Sequence, residues 1–280
     1  MSILVVGSLH LDVVLRAPRM PALDETVAGR SVNYVFGGKG GNQAVAAARH
    51  GADVSSAGRT AAVQYVSILK ARLQETHIRL DLLQQDPGPS GMSAAIIDEN
   101  GDYGAVIVSA ANLNIDPDAI SIPVGTQLVL LQNEIPEPVN ESVAHKAKQA
   151  GARVWLNAAP ARFFVTGLLE NVDLLILNRL EAKTYDATEG PDRMVTLGAD
   201  GVHYQGAHHD GFAVQILSTH GAGDMFIGAL AARTLETNSI ERSLRYAQAA
   251  AALHVSTDIG YRHCITPGKV QAFLKDQARR

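Results

Sequence analysis

Short runs that are apolar on both faces recur along this chain, at residues 3–6, 54–57, 127–132, 153–157, 173–177 and 194–197, and alanine-rich helical stretches lie between them. A strand with two apolar faces has to be covered on both sides, which is the situation of a parallel sheet with helices above and below it. Helices are predicted over 42–50 and 138–150, stopped by Gly51 and Gly151, and the C-terminal third is predicted helical over 224–235, 240–254 and 267–278. The expected fold class is therefore α/β: an open, mostly parallel sheet flanked by helices, with ligands at the carboxyl ends of its strands. The chain has 280 residues, 46% of them hydrophobic, enough to bury such a core. No repeat or linker divides it, so residues 1–280 are read as a single domain.

Two stretches depart from this rhythm. Residues 26–36, and the pair 93–97 and 104–108 around an Asn100-Gly101 turn signal, alternate apolar and polar side chains, the pattern of antiparallel strands exposed on one face. They predict a small β lid, from about 12–36 and 91–109, that shields the carboxyl edge of the main sheet from water. Each such strand has an apolar face to cover, so a homodimer through the lid is expected. A further hairpin is expected over 202–217. The net charge of −4 disfavours nucleic acid or an anionic membrane as partner, and no apolar run approaches the roughly 20 residues that span a bilayer. A single cysteine, Cys264, rules out an internal disulfide and a multi-cysteine zinc site. A cytoplasmic protein is expected.

Chemistry concentrates in two glycine-rich segments. Ser218-Thr219-His220-Gly221-Ala222-Gly223-Asp224 precedes a helix of small and apolar residues. The Gly221, Ala222 and Gly223 amides at a helix N-terminus form a candidate hole for a developing anion. Asp224 in the first turn is either a helix cap or a carboxylate that accepts a proton from an attacking hydroxyl. Gly37-Gly38-Lys39-Gly40-Gly41-Asn42-Gln43 leads into another helix. It lacks the spacing of a phosphate-binding P-loop and of a dinucleotide fingerprint, and by itself it fits a tight turn as well as a binding loop.

These two segments, about 180 residues apart in this order, resemble the two signatures of the ribokinase-like (PfkB) carbohydrate kinases. Similar stretches run from residues 7–12 to 196–201. The resemblance implies an ATP-dependent kinase that phosphorylates a primary hydroxyl of a small sugar, ribose first, with another furanose, a nucleoside or a sugar acid as alternatives. It implies sugar contacts from Asp12, from Gly38, Lys39 and Asn42 of the glycine loop, and from Glu134. Glu181 would serve Mg²⁺ through water, beside Asn178, while Thr196, Gly198, Gly201, Gln248 and Ala249 would hold ATP. Asp224 is then the catalytic base. His10 stands where ribose-phosphorylating members have Asn, two residues from Asp12 on the same strand face, and is a candidate substrate contact. Ser218 stands where the family commonly has Asp, a residue associated with a bound monovalent cation such as K⁺, so the carboxylate serving that ion is missing. Relatives also carry an extra helix between the strands at 173–177 and 194–197, where this chain has a short link that is still long enough for a crossover. A non-catalytic sugar or nucleotide sensor that keeps the fold is the competing reading, and sugar-dependent ADP formation separates the two.

Overall fold

The computed structural model describes residues 2–62, 71–100, 103–164, 167–185 and 190–279. Nine strands form the main sheet in the order β13-β12-β11-β10-β9-β8-β1-β4-β5. Its parallel part comprises β1 (Ser2–Val6), β4 (Asp53–Ala61), β5 (Arg79–Asp86), β8 (Thr126–Gln132), β9 (Arg153–Asn157), β10 (Leu174–Asn178) and β11 (Asp192–Thr196). An antiparallel hairpin, β12 (Val202–Tyr204) and β13 (Ala207–His209), closes one edge. Successive residues of β1 feed opposite layers. Ile3 and Val5 join one buried cluster and Leu4 and Val6 the other, as side-chain alternation in a doubly covered strand requires. Trp155 of β9 is fully buried in the first cluster.

Helix α1 (Lys39–Arg49), helix α4 (Ala222–Thr237), helix α5 (Ile240–Ser256) and helix α6 (Pro267–Gln277) contribute to the first layer. Helix α2 (Glu137–Gln149) packs Val139, Val143, Ala144 and Ala147 into the second. The short helix α3 (Arg179–Thr184) follows β10 and carries the compact crossover to β11. Part of that link, residues 186–189, and the region after Arg59 at 63–70 fall outside the described residues. Helices α1 and α4 cross very closely: a Cβ on Gly228 would stand 2.5 Å from Ala46 Cβ and 2.7 Å from Ala47 N. That contact sets the distance between the two glycine-rich segments, each of which leads one of these helices.

The small sheet has the order β3-β2-β6-β7, built from β2 (His10–Arg16), β3 (Ser31–Gly37), β6 (Gly91–Ile97) and β7 (Tyr103–Val108). Its outer ladders are antiparallel, while β2 and β6 run parallel, because the chain visits β4 and β5 between them. Among the described residues no helix is long and apolar enough to cross a membrane.

Several boundaries differ from expectation for physical reasons. The strand expected over 26–36 begins only at Ser31, because residues before it fold into a local turn in which Glu25 pairs with Arg19 and accepts the Ala22 amide at 2.9 Å. The hairpin over 202–217 ends at His209, since the carbonyls that a longer strand would offer are taken by helix α5. Gln248 Nε2 donates to His209 O at 2.9 Å and Asp210 O at 3.1 Å, and Arg245 Nη1 donates to Asp210 O at 2.8 Å. Strand β5, an edge strand containing Gln84 and Gln85, gave no alternating or all-apolar signal. Helix α1 starts at Lys39, so Gly40 and Gly41 belong to its first turn. Cys264 is half-buried and free.

Candidate active site

The two glycine-rich segments meet. Asp224, buried in the first turn of α4, accepts hydrogen bonds from Asn42 Nδ2 at 3.2 Å and from Gln43 Nε2 at 3.0 Å. Gln43 is in turn fixed by Gln132 Nε2, which donates to its Oε1 at 3.1 Å from the end of β8. Two carboxamides spend their donors on one carboxylate, and this holds the Asp224 side chain in a single orientation. Burial pushes the Asp224 proton affinity up; Lys39 and the two carboxamides act against this, Glu134 adds to it, and the balance lies above the ordinary carboxylate range. A raised carboxylate facing a cleft is suited to take a proton from an alcohol.

Lys39 is the cationic counterpart. Burial is the strongest single influence on its ammonium and disfavours the charge, but Asp224, Glu134 and Glu181 together outweigh it and raise its proton affinity. The ammonium therefore stays charged on the wall of a cleft of about 520 Å³, shared with Asn178, Glu181, Thr196, Gly198 and the run Gly221, Ala222, Gly223 and Asp224. Here the amides of Gly223 and Asp224 belong to the first helical turn, whose donors have no partner within a helix. The Ala222 amide is engaged differently from expectation: it donates to Thr219 O at 3.1 Å and closes the turn that leads into α4.

The first turn of α1 is anchored on the other side. Lys39 N–H donates to Glu134 Oε2 at 2.9 Å, Gly40 N–H to Ser8 Oγ at 3.5 Å and Gly41 N–H to Ser8 O at 3.0 Å, while Ser8 Oγ donates to the same Glu134 oxygen. Glu134 thus clamps the loop after β1 to the start of α1. Gly38, the N-cap, has φ 85°, and a Cβ there would lie 2.6 Å from Ser8 O, so only glycine fits. Asp12 and His10 follow on β2. Asp12 Oδ1 accepts from Ser93 Oγ at 2.6 Å, its Oδ2 lies against Gly37, and His10 is buried with Nε2 unpartnered. A buried ring nitrogen without a partner is uncommon in a folded protein and calls for an explanation.

Asn178 and Glu181 form a capping box on α3. Asn178 Oδ1 accepts the Leu180 and Glu181 amides, and Glu181 accepts the Asn178 amide at 2.7 Å and its Nδ2 at 2.8 Å. Burial raises the Glu181 proton affinity, opposed by the Asn178 amide and Lys39. Among the described residues no group of three or more His, Cys, Asp or Glu surrounds a metal position. The cleft wall carries two carboxylates, Glu181 and Asp224, and Glu181 fits Mg²⁺ held mainly by phosphates and water.

Next to the cleft, sharing Thr196, Gly198, Thr219, Ala222 and Gly223 with it, lies a mainly apolar cavity of about 220 Å³. Gly201 and Gln248 line it, and so do Ala251, Ala252 and Val255 of α5. Ala249 does not: it is fully buried in the core, because positions 248, 251, 252 and 255 share one helix face and 249 falls on another. Reading the sequence overlooked Gln43, Ser8 and Gln132. Gln43 stands within the quoted glycine motif, and its neighbour Asn42 was the signal available.

Comparison with known proteins gives this geometry a context. The family model described as pfkB family carbohydrate kinase matches residues 1–263. The ribokinase of Bacillus subtilis strain 168 is 32% identical over 271 residues, covering 91% of this chain and 92% of its own. The solved ribokinase of Thermotoga maritima superposes with a TM-score of 0.86 at 27% identity, covering 98% and 99% of the two chains. The ribokinase of Arabidopsis thaliana, solved complexed with ribose and ATP, superposes with a TM-score of 0.85 at 26% identity over 98% of each. With sequence agreement and a shared fold over most of the length, the chain belongs to the pfkB family of carbohydrate kinases, as an ATP-dependent enzyme.

Proposed function

We propose that this kinase transfers the γ-phosphoryl group of ATP to a primary hydroxyl of ribose, with Asp224 as the base. The observation that carries the reading is the hydrogen-bonded meeting of Asp224 with Asn42 and Gln43 across more than 180 residues of sequence, in contact with a cleft that also holds Lys39. In the transfer, the sugar hydroxyl gives its proton to the Asp224 carboxylate as its oxygen bonds to the γ-phosphorus. The bond from the γ-phosphorus to the bridging oxygen breaks, and ADP leaves. Such transfer depends on positioning and charge stabilisation more than on covalent chemistry. The Gly223 amide, the Gly221 segment and the Lys39 ammonium supply positive potential at the cleft, and the apolar cavity lined by Gly201, Gln248 and Ala252 suits a purine. Mg²⁺, when bound with the nucleotide, neutralises phosphate charge, and Glu181 would hold it through water.

Asp12, Gly38, Asn42 and His10 are assigned to the sugar, whose hydroxyls need both donors and acceptors. Asp224→Asn should lower kcat about a thousandfold or more while calorimetry finds ribose affinity little changed. Turnover retained in that variant sinks the assignment. A panel of ribose, other furanoses, nucleosides and sugar acids in a coupled ADP assay identifies the acceptor.

Residues 1–280 are taken to act as one unit, the small sheet serving as its lid. Strand β7 is an edge strand that exposes Val106, Ile107 and Val108, and an uncovered apolar edge of this kind calls for a partner strand or sheet. A second copy of the chain is the proposed cover, and gel filtration of the Val106→Glu, Val108→Glu variant should shift a dimer to a monomer. A single cysteine in 280 residues suits a cytoplasmic setting.

A further inference from the structure

Arg262 sits in the 3-10 turn Ile259–Cys264 and is buried. Its guanidinium makes three hydrogen bonds, and all three acceptors are main-chain carbonyls: Nη1 to His220 O at 2.8 Å, Nη2 to Ser218 O at 2.8 Å and Nε to Thr257 O at 3.3 Å. Asp258 nearby favours the charge, but its Oδ1 is turned to the Gly260 amide at 2.9 Å as the cap of the turn. Burial pulls the Arg262 proton affinity down, yet a guanidinium remains charged in proteins. A buried cation whose hydrogen bonds all go to carbonyls is costly to hold unless that charge has a use.

Its location shows the use. Ser218 and His220 lie in the loop that leads directly to Gly221, Ala222, Gly223 and Asp224. In a trans peptide the carbonyl of one residue and the N–H of the next point in opposite directions. Drawing His220 O onto the guanidinium therefore turns the Gly221 N–H away from Arg262, on the far side of the same peptide. His254 Nε2 holds the same carbonyl at 2.8 Å. Burial and the neighbouring Arg262 push this imidazole down to about 4, so at neutral pH it is an uncharged donor and Arg262 is the cation at this carbonyl cluster. Carbonyl oxygens converging on one positive charge resemble the ligand set of a weakly hydrated monovalent ion, and the side chain of Ser218 brings no carboxylate to attract such an ion.

We propose that Arg262 is a positioning residue, a tethered cation that takes the place of a dissociable monovalent ion and holds the Ser218–Gly221 loop in its anion-binding shape, so that phosphoryl transfer by this enzyme needs neither K⁺ nor Na⁺. The proposal rests on the kinase reading above, and its test separates the two. Sugar-dependent ADP formation by the full chain is measured in K⁺, Na⁺ and tetramethylammonium buffers, with melting temperature followed in parallel. The expected result is a wild-type rate constant within about twofold across the three cations and a melting temperature that ignores them. Arg262→Ala should lose about a hundredfold in kcat, the scale seen when one anion-hole donor is lost, with ribose KM little changed. Added guanidinium, or K⁺, should restore part of that rate and raise the variant's melting temperature. Arg262→Lys, which keeps a cation, should lose less. Activation of the wild type several-fold by K⁺ overturns the proposal, as does an Arg262→Ala variant that folds and turns over like the wild type. An Arg262→Ala variant that melts normally but responds to neither guanidinium nor K⁺ also overturns it. Absence of ADP formation with every sugar would instead overturn the kinase reading, and the cation dependence of the melting temperatures would still decide the role of Arg262.

Discussion

Asp224 and Lys39 form an opposed pair in which each controls the other's proton. Lys39 lowers the Asp224 proton affinity against the effect of burial, so removing the ammonium should raise it further. The sign is fixed: a base with a higher pKa stays protonated to higher pH, and its rate is lost sooner on acidification. Lys39→Met should therefore move the acid limb of the kcat/KM profile to higher pH, and a limb that stays in place or moves to lower pH would mean that the two groups are not coupled. At this scale much of the site could be read from residue types. Asp224, Asn42 and Lys39 stand in motifs whose glycines mark them. Ser8 and Glu134, which satisfy the first amides of α1, could not be matched in advance, because their pairing depends on how the loop after β1 meets that helix. Arg262 gave no signal, since its acceptors are carbonyls, two of them about 40 residues away, and any residue type supplies those.

Between elements, the decisive contact is the crossing of α1 and α4 at Gly228. A side chain there meets Ala46 and the α1 backbone, so Gly228→Val should destabilise the fold by about 1–3 kcal/mol. It should also stretch the Asn42 and Gln43 bonds to Asp224, one turn earlier on α4. Denaturation midpoints and kcat measured together are the check, and kcat should fall even under conditions where the variant is fully folded. Periodicity identified nearly all the parallel strands and the helices, because each buries a face whose period shows in the sequence. It failed where hydrogen bonding is taken over by a neighbour, as at residues 210–217, where Gln248, Arg245 and the Val255 carbonyl hold the chain. It also missed β5, an edge strand with polar positions.

For the molecule as a whole, acid sensitivity follows from buried imidazoles. His50, packed edge-on to Tyr246 and hydrogen-bonded to its hydroxyl at 2.7 Å, is pushed down to about 4 by burial and by Arg49. The unfolded chain takes up this proton near the ordinary value of about 6.5, whereas the folded chain does so only near 4. The associated stability is therefore present above about pH 6.5 and is lost as the pH falls toward 4, by a few kcal/mol in order of magnitude. His50→Gln, which keeps a polar partner for Tyr246, should flatten the fall in melting temperature across that window.

One junction ties the small sheet to the chemistry. Strand β3 ends at Gly37 and helix α1 begins at Lys39, leaving a hinge one residue long. The Glu134 and Ser8 clamp on the first turn of α1 is what keeps Asn42 and Gln43 in place on the other side of this junction. Under the proposed lid role, a bound sugar that drew the sheet inward would act through this junction, joining acceptor arrival to readiness of the carboxylate.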